Sequence, residues 1–129
     1  MEQRTVLYIE DNFHNRRIVR KILRSQGYTV LEAEDGITGL EMVKQEKPPL
    51  ILLDINLPGM DGLEVLARIR ENDELQETPV IALTASAMRG DRERFLAAGC
   101  DDYLSKPIQA LDLIKKVGEL YDSNGRKTW

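Results

Sequence analysis

The sequence predicts a three-layer α/β/α domain that is built on a doubly wound, five-stranded parallel sheet. Three observations predict this fold class. Short apolar runs of strand length alternate five times with longer segments of helical period. Three of those runs are almost wholly apolar, as expected for strands that are covered on both faces. The strict strand–helix alternation also implies right-handed crossovers and helices on both sides of the sheet.

The elements follow in chain order. Strands are expected at residues 5–9, 29–33, 50–53, 80–84 and 102–105. Helices are expected at about 13–26, from 35–36 to the prolines at 48–49, at about 63–71 and 89–98, and after the fifth strand. Gly99 is expected to cap the fourth helix. The apolar faces are expected to consist of Ile18, Val19, Ile22 and Leu23 in the first helix, Ile37, Leu40 and Val43 in the second, and Leu113, Ile114, Val117 and Leu120 in the fifth.

The polarity of the strands predicts their order. The first, third and fourth are nearly all apolar and should be central, whereas the second and fifth are more polar and should form the edges. The order 2-1-3-4-5 meets this requirement. Its switch point lies between strands one and three, where ligands bind at the carboxyl ends of the strands.

Composition limits the classes of function. A chain of 129 residues with 42% hydrophobic and 31% charged residues suits one globular domain, expected at residues 1–121 with a polar tail at 122–129. The net charge of −4 offers no basic surface for nucleic acid. No apolar run approaches the ~20 residues of a membrane span. Because the chain also shows no secretory signal and has one cysteine, Cys100, a cytoplasmic protein is expected.

Polar residues follow four of the predicted strands. Glu10 and Asp11 come after the first strand, Asp54 ends the third, Thr84 ends the fourth, and Lys106 follows the fifth. Parallel strands bring their carboxyl ends to one edge, so these side chains should meet there. Three acids, a hydroxyl and an ammonium make a candidate phosphoryl-accepting site.

The acids predict a cation. At about 5 Å and an effective dielectric of about 20, each pair of like charges costs roughly 3 kcal/mol, so such clusters are kept chiefly to bind metal. Oxygen ligands alone suit Mg²⁺. The alternative is that Glu10 and Asp11 only cap the first helix and that Asp54 is a solvated turn residue.

The chain resembles the receiver domains of two-component response regulators, the CheY-like superfamily with the flavodoxin-like fold, over about residues 4–121. The resemblance is carried by the segments Glu10-Asp11-Asn12, Asp54-Ile55-Asn56-Leu57-Pro58-Gly59-Met60-Asp61-Gly62, Thr84-Ala85 and Lys106-Pro107. Within the family, the chain is similar to the single-domain DivK-type regulators in the segments Glu10-Asp11-Asn12, Ala87-Met88-Arg89-Gly90-Asp91, Gly99-Cys100 and Lys106-Pro107-Ile108. Chemotaxis receivers share the order 2-1-3-4-5, so the order is not independent of the resemblance.

The resemblance implies a role for each residue. Asp54 would accept a phosphoryl group from a histidine kinase or phosphotransfer protein, and Lys106 and Thr84 would engage its oxygens. Glu10, Asp11, Asp54 and the Asn56 main-chain carbonyl would hold Mg²⁺. Tyr103 would be an aromatic switch that alters the face formed by the fourth helix, fifth strand and fifth helix, where a downstream protein would bind. The Lys106–Pro107 peptide would be cis.

Two rival functions of similar architecture fail on particular residues. A haloacid-dehalogenase-type phosphatase needs a second aspartate two residues after the nucleophile, where Asn56 stands. A flavodoxin-like electron carrier needs a phosphate-binding loop after the first strand, where Glu10 and Asp11 would repel phosphate. The chain is therefore expected to be a signalling domain and not an enzyme. Whether it is a complete regulator or a receiver excised from a hybrid kinase stays open.

Overall fold

The computed structural model describes residues 4–85 and 91–126, with side chains described for residues 4–85 and 92–121. Its strands are β1 (Arg4–Ile9), β2 (Tyr28–Ala33), β3 (Ile51–Asp54), β4 (Val80–Thr84) and β5 (Asp102–Ser105). Its helices are α1 (Phe13–Ser25), α2 (Gly36–Glu46), α3 (Gly62–Glu71), α4 (Asp91–Ala97) and α5 (Ala110–Arg126). A short 3₁₀ turn at Asp73–Leu75 was not expected from the sequence.

The strands form one parallel sheet in the order β2-β1-β3-β4-β5, which confirms the predicted topology. In the pairing register Ile9 lies beside Leu53, and Asp54 lies beside Leu83. The carboxyl ends of β1, β3 and β4 are therefore nearly level. The residues that follow these strands meet at one edge of the sheet.

The two faces of the sheet bury separate apolar clusters. Leu7 and Ile9 point to the cluster that includes residues of α2, α3 and α4, whereas Val6 and Tyr8 point to the one that includes residues of α1 and α5. This alternation follows from the two-residue period of a strand. Each central strand is thus covered on both faces, as its apolar sequence predicted.

Two expected core residues lie outside the core. Ile18 of α1 is 39% exposed and Ile37 of α2 is 61% exposed. α2 packs instead through Gly36, Gly39 and Val43. A Cβ atom on Gly39 would lie 2.6 Å from Ile9 Cδ1, so the glycine allows a close approach of helix to strand. The prediction for Ile37 was wrong because it assumed that a large apolar residue marks the packed face.

The chain ends depart from the expected pattern in one respect. α5 continues to Arg126, so residues 122–126 of the expected polar tail are helical. The division between a domain at 1–121 and a tail stays a prediction, and residues 127–129 lie outside the described part. Residues 89 and 90, expected in α4, also lie outside it. No helix in the described ranges has the length and apolar character of a membrane span.

Candidate functional site

Asp54 lies at the centre of the site as the last residue of β3, with 1% of its surface exposed. Its Oδ1 accepts a hydrogen bond from the Asn56 main-chain N–H at 2.9 Å. The following loop folds back tightly, because a Cβ on Gly62 would lie 2.5 Å from both the Asp54 carbonyl oxygen and Ile55 Cα. Glycine at position 62 therefore permits the turn that fixes the Asp54 carboxylate.

Glu10 is fully buried and receives four hydrogen bonds. Its Oε1 accepts from the Tyr8 hydroxyl at 3.0 Å, from Asn15 Nδ2 at 3.3 Å and from Lys106 Nζ at 2.9 Å. Its Oε2 accepts from the Asn12 main-chain N–H at 3.3 Å. A buried carboxylate with this many donors is held in one orientation.

Lys106 joins the two buried acids. Its Nζ lies 2.9 Å from Glu10 Oε1 and 3.1 Å from Asp54 Oδ2. The Lys106 main-chain N–H donates to the Thr84 carbonyl oxygen at 2.8 Å, which ties the end of β5 to the end of β4. The Lys106–Pro107 peptide is cis, as the resemblance implied. One ammonium thus balances part of the charge of two carboxylates.

The pKa values of the two buried acids, Asp54 and Glu10, are shifted in opposite directions. Burial raises the pKa of Asp54 to about 6, and the Glu10 carboxylate adds to this rise. Burial also raises the pKa of Glu10, but hydrogen bonds with Asp54 and Lys106 outweigh burial and lower it to about 2. Burial lowers the pKa of Lys106, yet the two carboxylates outweigh that effect and raise it. Of the two buried acids, Asp54 is therefore the one whose ionisation is less favoured.

Glu10, Asp11 and Asp54 form one oxygen cluster. One carboxylate oxygen from each lies within 4.8 Å of the others. Asp11 is exposed, so the cluster opens to solvent on one side. Hard oxygen donors that converge from a rigid edge fit the ligand preference of Mg²⁺. The residues predicted to hold a cation are thus brought together.

The alternative of simple capping fails. The N-cap of α1 is Asn12, whose Oδ1 accepts from the Asn15 main-chain N–H at 2.9 Å. Glu10 and Asp54 are buried, so neither is a solvated acid. Asp61, in contrast, does cap α3.

The remaining predicted residues surround the cluster at different depths. Thr84 is buried at the end of β4, and Asn56 is exposed with its Oδ1 accepting from the Ala85 main-chain N–H at 3.2 Å. Tyr103 is half-buried in β5, with its ring centroid 6.2 Å from that of Phe95 in α4. Tyr103 thus contacts α4, while Glu10 and Asp54 contact Lys106.

Sequence reasoning missed Tyr8, Asn15 and Arg16. Arg16 is only 7% exposed, and its guanidinium donates to the carbonyl oxygens of Glu10 and Asp11. A signal was present: if the buried stripe of α1 at Leu23 and Val19 is extended towards the N-terminus at helical spacing, it reaches positions 16, 15 and 12. A polar residue on the core-facing stripe beside a strand end marks a supporting contact.

The other reactive residues are structural or exposed. His14 is exposed. Cys100 is 5% exposed and packs in the core, where burial raises the pKa of its thiol to about 12. Cys100 is therefore a packing residue with little thiolate.

The fold and the site together define a signalling domain. A family model described as the response regulator receiver domain matches residues 6–118, and the chain belongs to that family. The family acts in two-component systems and works with histidine kinases or phosphotransfer proteins. The match runs from within β1 to within α5 and includes Glu10, Asp11, Asp54, Thr84 and Lys106.

Individual relatives agree. The polar-differentiation response regulator DivK of Brucella anthropi is 40% identical over 114 residues, which are 88% of this chain and 93% of that protein. A receiver domain of a Pseudomonas aeruginosa sensor histidine kinase, described with a magnesium ion in its active-site cleft, is 36% identical with a TM-score of 0.86, covering 94% of this chain and 99% of that one. A CheY-like receiver domain protein from Methanospirillum hungatei is 28% identical with a TM-score of 0.89 over 98% of this chain and 99% of that one.

Proposed function

We propose that Asp54 is the residue that accepts the phosphoryl group. One observation carries the proposal: a buried carboxylate at the carboxyl end of the central strand lies 3.1 Å from an ammonium and within 4.8 Å of two further acids. A carboxylate held in this way is oriented for attack. Because the acyl phosphate carries more negative charge than the carboxylate, Lys106 and a bound cation are needed to offset it.

The transfer is an in-line displacement. A carboxylate oxygen of Asp54 forms a bond to phosphorus while the bond from phosphorus to the donor's imidazole nitrogen breaks, and the imidazole takes up a proton from solvent. Asp54 Oδ1 is held by the Asn56 N–H, so Oδ2, on the Lys106 side, is the oxygen assigned to attack. Lys106 then follows the new phosphoryl oxygens as a compact point charge.

The cation fits the donor set. Glu10, Asp11 and Asp54 supply hard oxygen ligands, and the Asn56 main-chain carbonyl completes the proposed protein ligands. A bound Mg²⁺ would neutralise charge that develops on the transferred group. The magnesium described for the Pseudomonas aeruginosa receiver supports this assignment. Of the three acids, Asp11 faces solvent and is the one that the cation reaches first.

Signal output is proposed to pass through Thr84 and Tyr103. The Thr84 hydroxyl would turn towards the phosphoryl oxygens, and Tyr103 would rotate into the space that Thr84 leaves. Tyr103 lines a groove of about 520 Å³ between α4, β5 and α5, together with Arg92, Gln109 and Lys116. Leu96 and Leu111 are exposed on the same two helices. These features support a downstream protein that binds the α4-β5-α5 face.

The proposed partners are a histidine kinase or a phosphotransfer protein as donor, and a protein as target. The match covers 93% of DivK, and this favours a regulator of a single domain. The similarity to a receiver domain of a sensor kinase favours a receiver from a hybrid kinase, and both remain candidates. A cytoplasmic location is proposed on the family and on the buried free Cys100.

The switch and the acceptor can be tested together. Chemical-shift mapping with beryllofluoride as phosphoryl mimic should show perturbations that extend from Asp54 to Tyr103 and α4. In Thr84→Ala the changes should stay near Asp54, although acetyl phosphate still phosphorylates the protein. Ser105→Ala removes a hydroxyl from the end of β5 and is the matched control, which should behave as wild type. Equal propagation in Thr84→Ala would contradict the switch, whereas absence of phosphorylation in the wild type would contradict the acceptor.

A further inference from the structure

Arg16 makes an unusual set of contacts for a charged helix residue. Its NH1 donates to the Glu10 carbonyl oxygen at 2.8 Å and to the Asp11 carbonyl oxygen at 3.0 Å. On its other side, Nε lies 3.6 Å from Glu32 Oε1 and NH2 lies 3.7 Å from Glu34 Oε1. One guanidinium therefore connects the loop between β1 and α1 with the end of β2.

These contacts fix the main chain at Asp11. Two successive carbonyls that bind one planar guanidinium leave little freedom to the peptide between them. None of the described residues donates a hydrogen bond to the Asp11 carboxylate or forms an ion pair with it, and Asp11 is exposed. Its position beside Glu10 and Asp54 therefore depends on the main chain, which Arg16 holds.

The charge of Arg16 argues against a purely electrostatic role. A cation beside a site for Mg²⁺ repels the ion, so removal of the charge alone should strengthen metal binding. Glu32 and Glu34 offset part of that charge. A buried arginine at this place is explained by geometry: it satisfies two carbonyls that would otherwise be free to turn.

We infer that Arg16 is a positioning residue that sets the Asp11 carboxylate for cation binding by holding the Glu10 and Asp11 carbonyls. The inference rests on the proposed function, because it assumes that the acid cluster binds Mg²⁺. It assigns no contact between Arg16 and the ion or the phosphoryl group.

The test is Mg²⁺ titration by calorimetry on four full-length proteins: wild type, Arg16→Met, Arg16→Lys and Arg17→Met. Arg17 is exposed and adjacent, so Arg17→Met reports the loss of one positive charge without loss of the carbonyl contacts. Arg16→Met should raise the Kd for Mg²⁺ by about 10-fold or more, as loss of a partner outside the ligand shell commonly does. Arg17→Met should leave the Kd within about twofold of wild type or lower it, because the charge is screened.

A second measurement separates positioning from general damage. At saturating Mg²⁺, acetyl phosphate should phosphorylate Arg16→Met at nearly the wild-type rate, so that the Mg²⁺ concentration for half-maximal rate changes and the maximal rate does not. If Arg16→Met does not fold, Arg16→Lys decides, since its charge is unchanged and its shorter side chain with a single ammonium cannot reach both carbonyls while also facing Glu32 and Glu34. Its Kd should then rise relative to wild type.

The outcomes distinguish the two proposals. If the wild type binds Mg²⁺ and the folded Arg16 variants bind it as tightly as Arg17→Met, the inference about Arg16 is overturned and the proposed function stands. If Arg16→Met loses the maximal rate at saturating Mg²⁺, positioning of the metal ligand is also overturned. If the wild type binds no Mg²⁺, the proposed metal site fails, and the role of Arg16 fails with it.

Discussion

Replacement of Asp54 by asparagine should stabilise the metal-free protein at neutral pH. Asp54 is 1% exposed. Among the described residues, Lys106 is the only cation that forms an ion pair with Asp54, and Lys106 is also paired with Glu10. Asparagine keeps the size and can still accept from the Asn56 N–H. The substitution removes one of two buried negative charges, and Lys106 can then pair with Glu10 alone.

The magnitude follows from the pKa. Raising the pKa of Asp54 from 3.8 to about 6 makes its ionised form about 3 kcal/mol less favourable in the folded protein, at about 1.4 kcal/mol per pKa unit. The folded protein binds this proton more tightly than the unfolded chain. The stability gained from the protonated form is therefore fully present below pH 3.8 and lost as the pH rises through about 6.

The assay is urea unfolding of wild type and Asp54→Asn in EDTA at pH 7 and at pH 4. The free energy of unfolding of Asp54→Asn should exceed that of wild type by up to about 3 kcal/mol at pH 7, and the difference should nearly vanish at pH 4. Glu41→Gln, which neutralises an exposed acid of α2, is the control and should change stability little at either pH. Addition of Mg²⁺ should stabilise wild type more than Asp54→Asn, since it binds the folded cluster.

Two results would refute this reasoning. The first is an Asp54→Asn protein that is less stable than wild type at pH 7 without metal. The second is a stability difference that is the same at pH 4 and pH 7, because ionisation of Asp54 would then have no part in it.

Three further predictions follow from contacts around the site. Lys106→Met should lower the free energy of unfolding at pH 7 by about 3 kcal/mol, because two buried carboxylates lose their shared cation. A variant as stable as wild type in urea unfolding would be inconsistent with that role. Gly62→Ala should destabilise the protein by about 1–3 kcal/mol, because the added Cβ would clash with the Asp54 carbonyl oxygen. Gly118→Ala is the control and should be neutral or stabilising, because there is open space around Gly118 in α5. Thermal melts that reverse this order would count against the packing argument. Ile18 lines a groove together with Lys106 and Pro107. Ile18→Ala should therefore slow phosphoryl transfer from a phosphorylated partner protein but not from acetyl phosphate. Equal slowing with both donors in rapid-quench assays would exclude a docking role for Ile18.

The topology could be predicted because polarity and spacing are local properties. Leu50 to Leu53 are apolar at every position, and this pattern alone predicts that β3 is a central strand, without information on how the helices pack. The same pattern located Asp54, Glu10 and Lys106, since the carboxyl ends of parallel strands meet at one edge. The cis peptide at Lys106 came from the resemblance, because spacing carries no information on peptide isomers.

The supporting contacts could not be predicted in the same way. Ile37 was assigned to the core from its side chain, but α2 packs through Gly39, whose missing Cβ leaves room for Ile9. The four donors around Glu10 come from β1, from α1 and its N-cap, and from the residue after β5, so their convergence depends on tertiary packing. The proposed roles of Thr84 and Tyr103 depend on a change to a second conformation. The structure shows the contacts from which that change would start.

The central claim is that a phosphoryl group becomes attached to Asp54, and chemical trapping of the acyl phosphate tests it most directly. The wild-type protein is incubated with acetyl phosphate and Mg²⁺, reduced with borohydride, digested and analysed by peptide mass spectrometry. Reduction of an aspartyl phosphate yields homoserine, so homoserine should be found at position 54 and should depend on Mg²⁺. Homoserine at another aspartate, or its absence from position 54 in a protein that has taken up phosphate, would contradict the assignment.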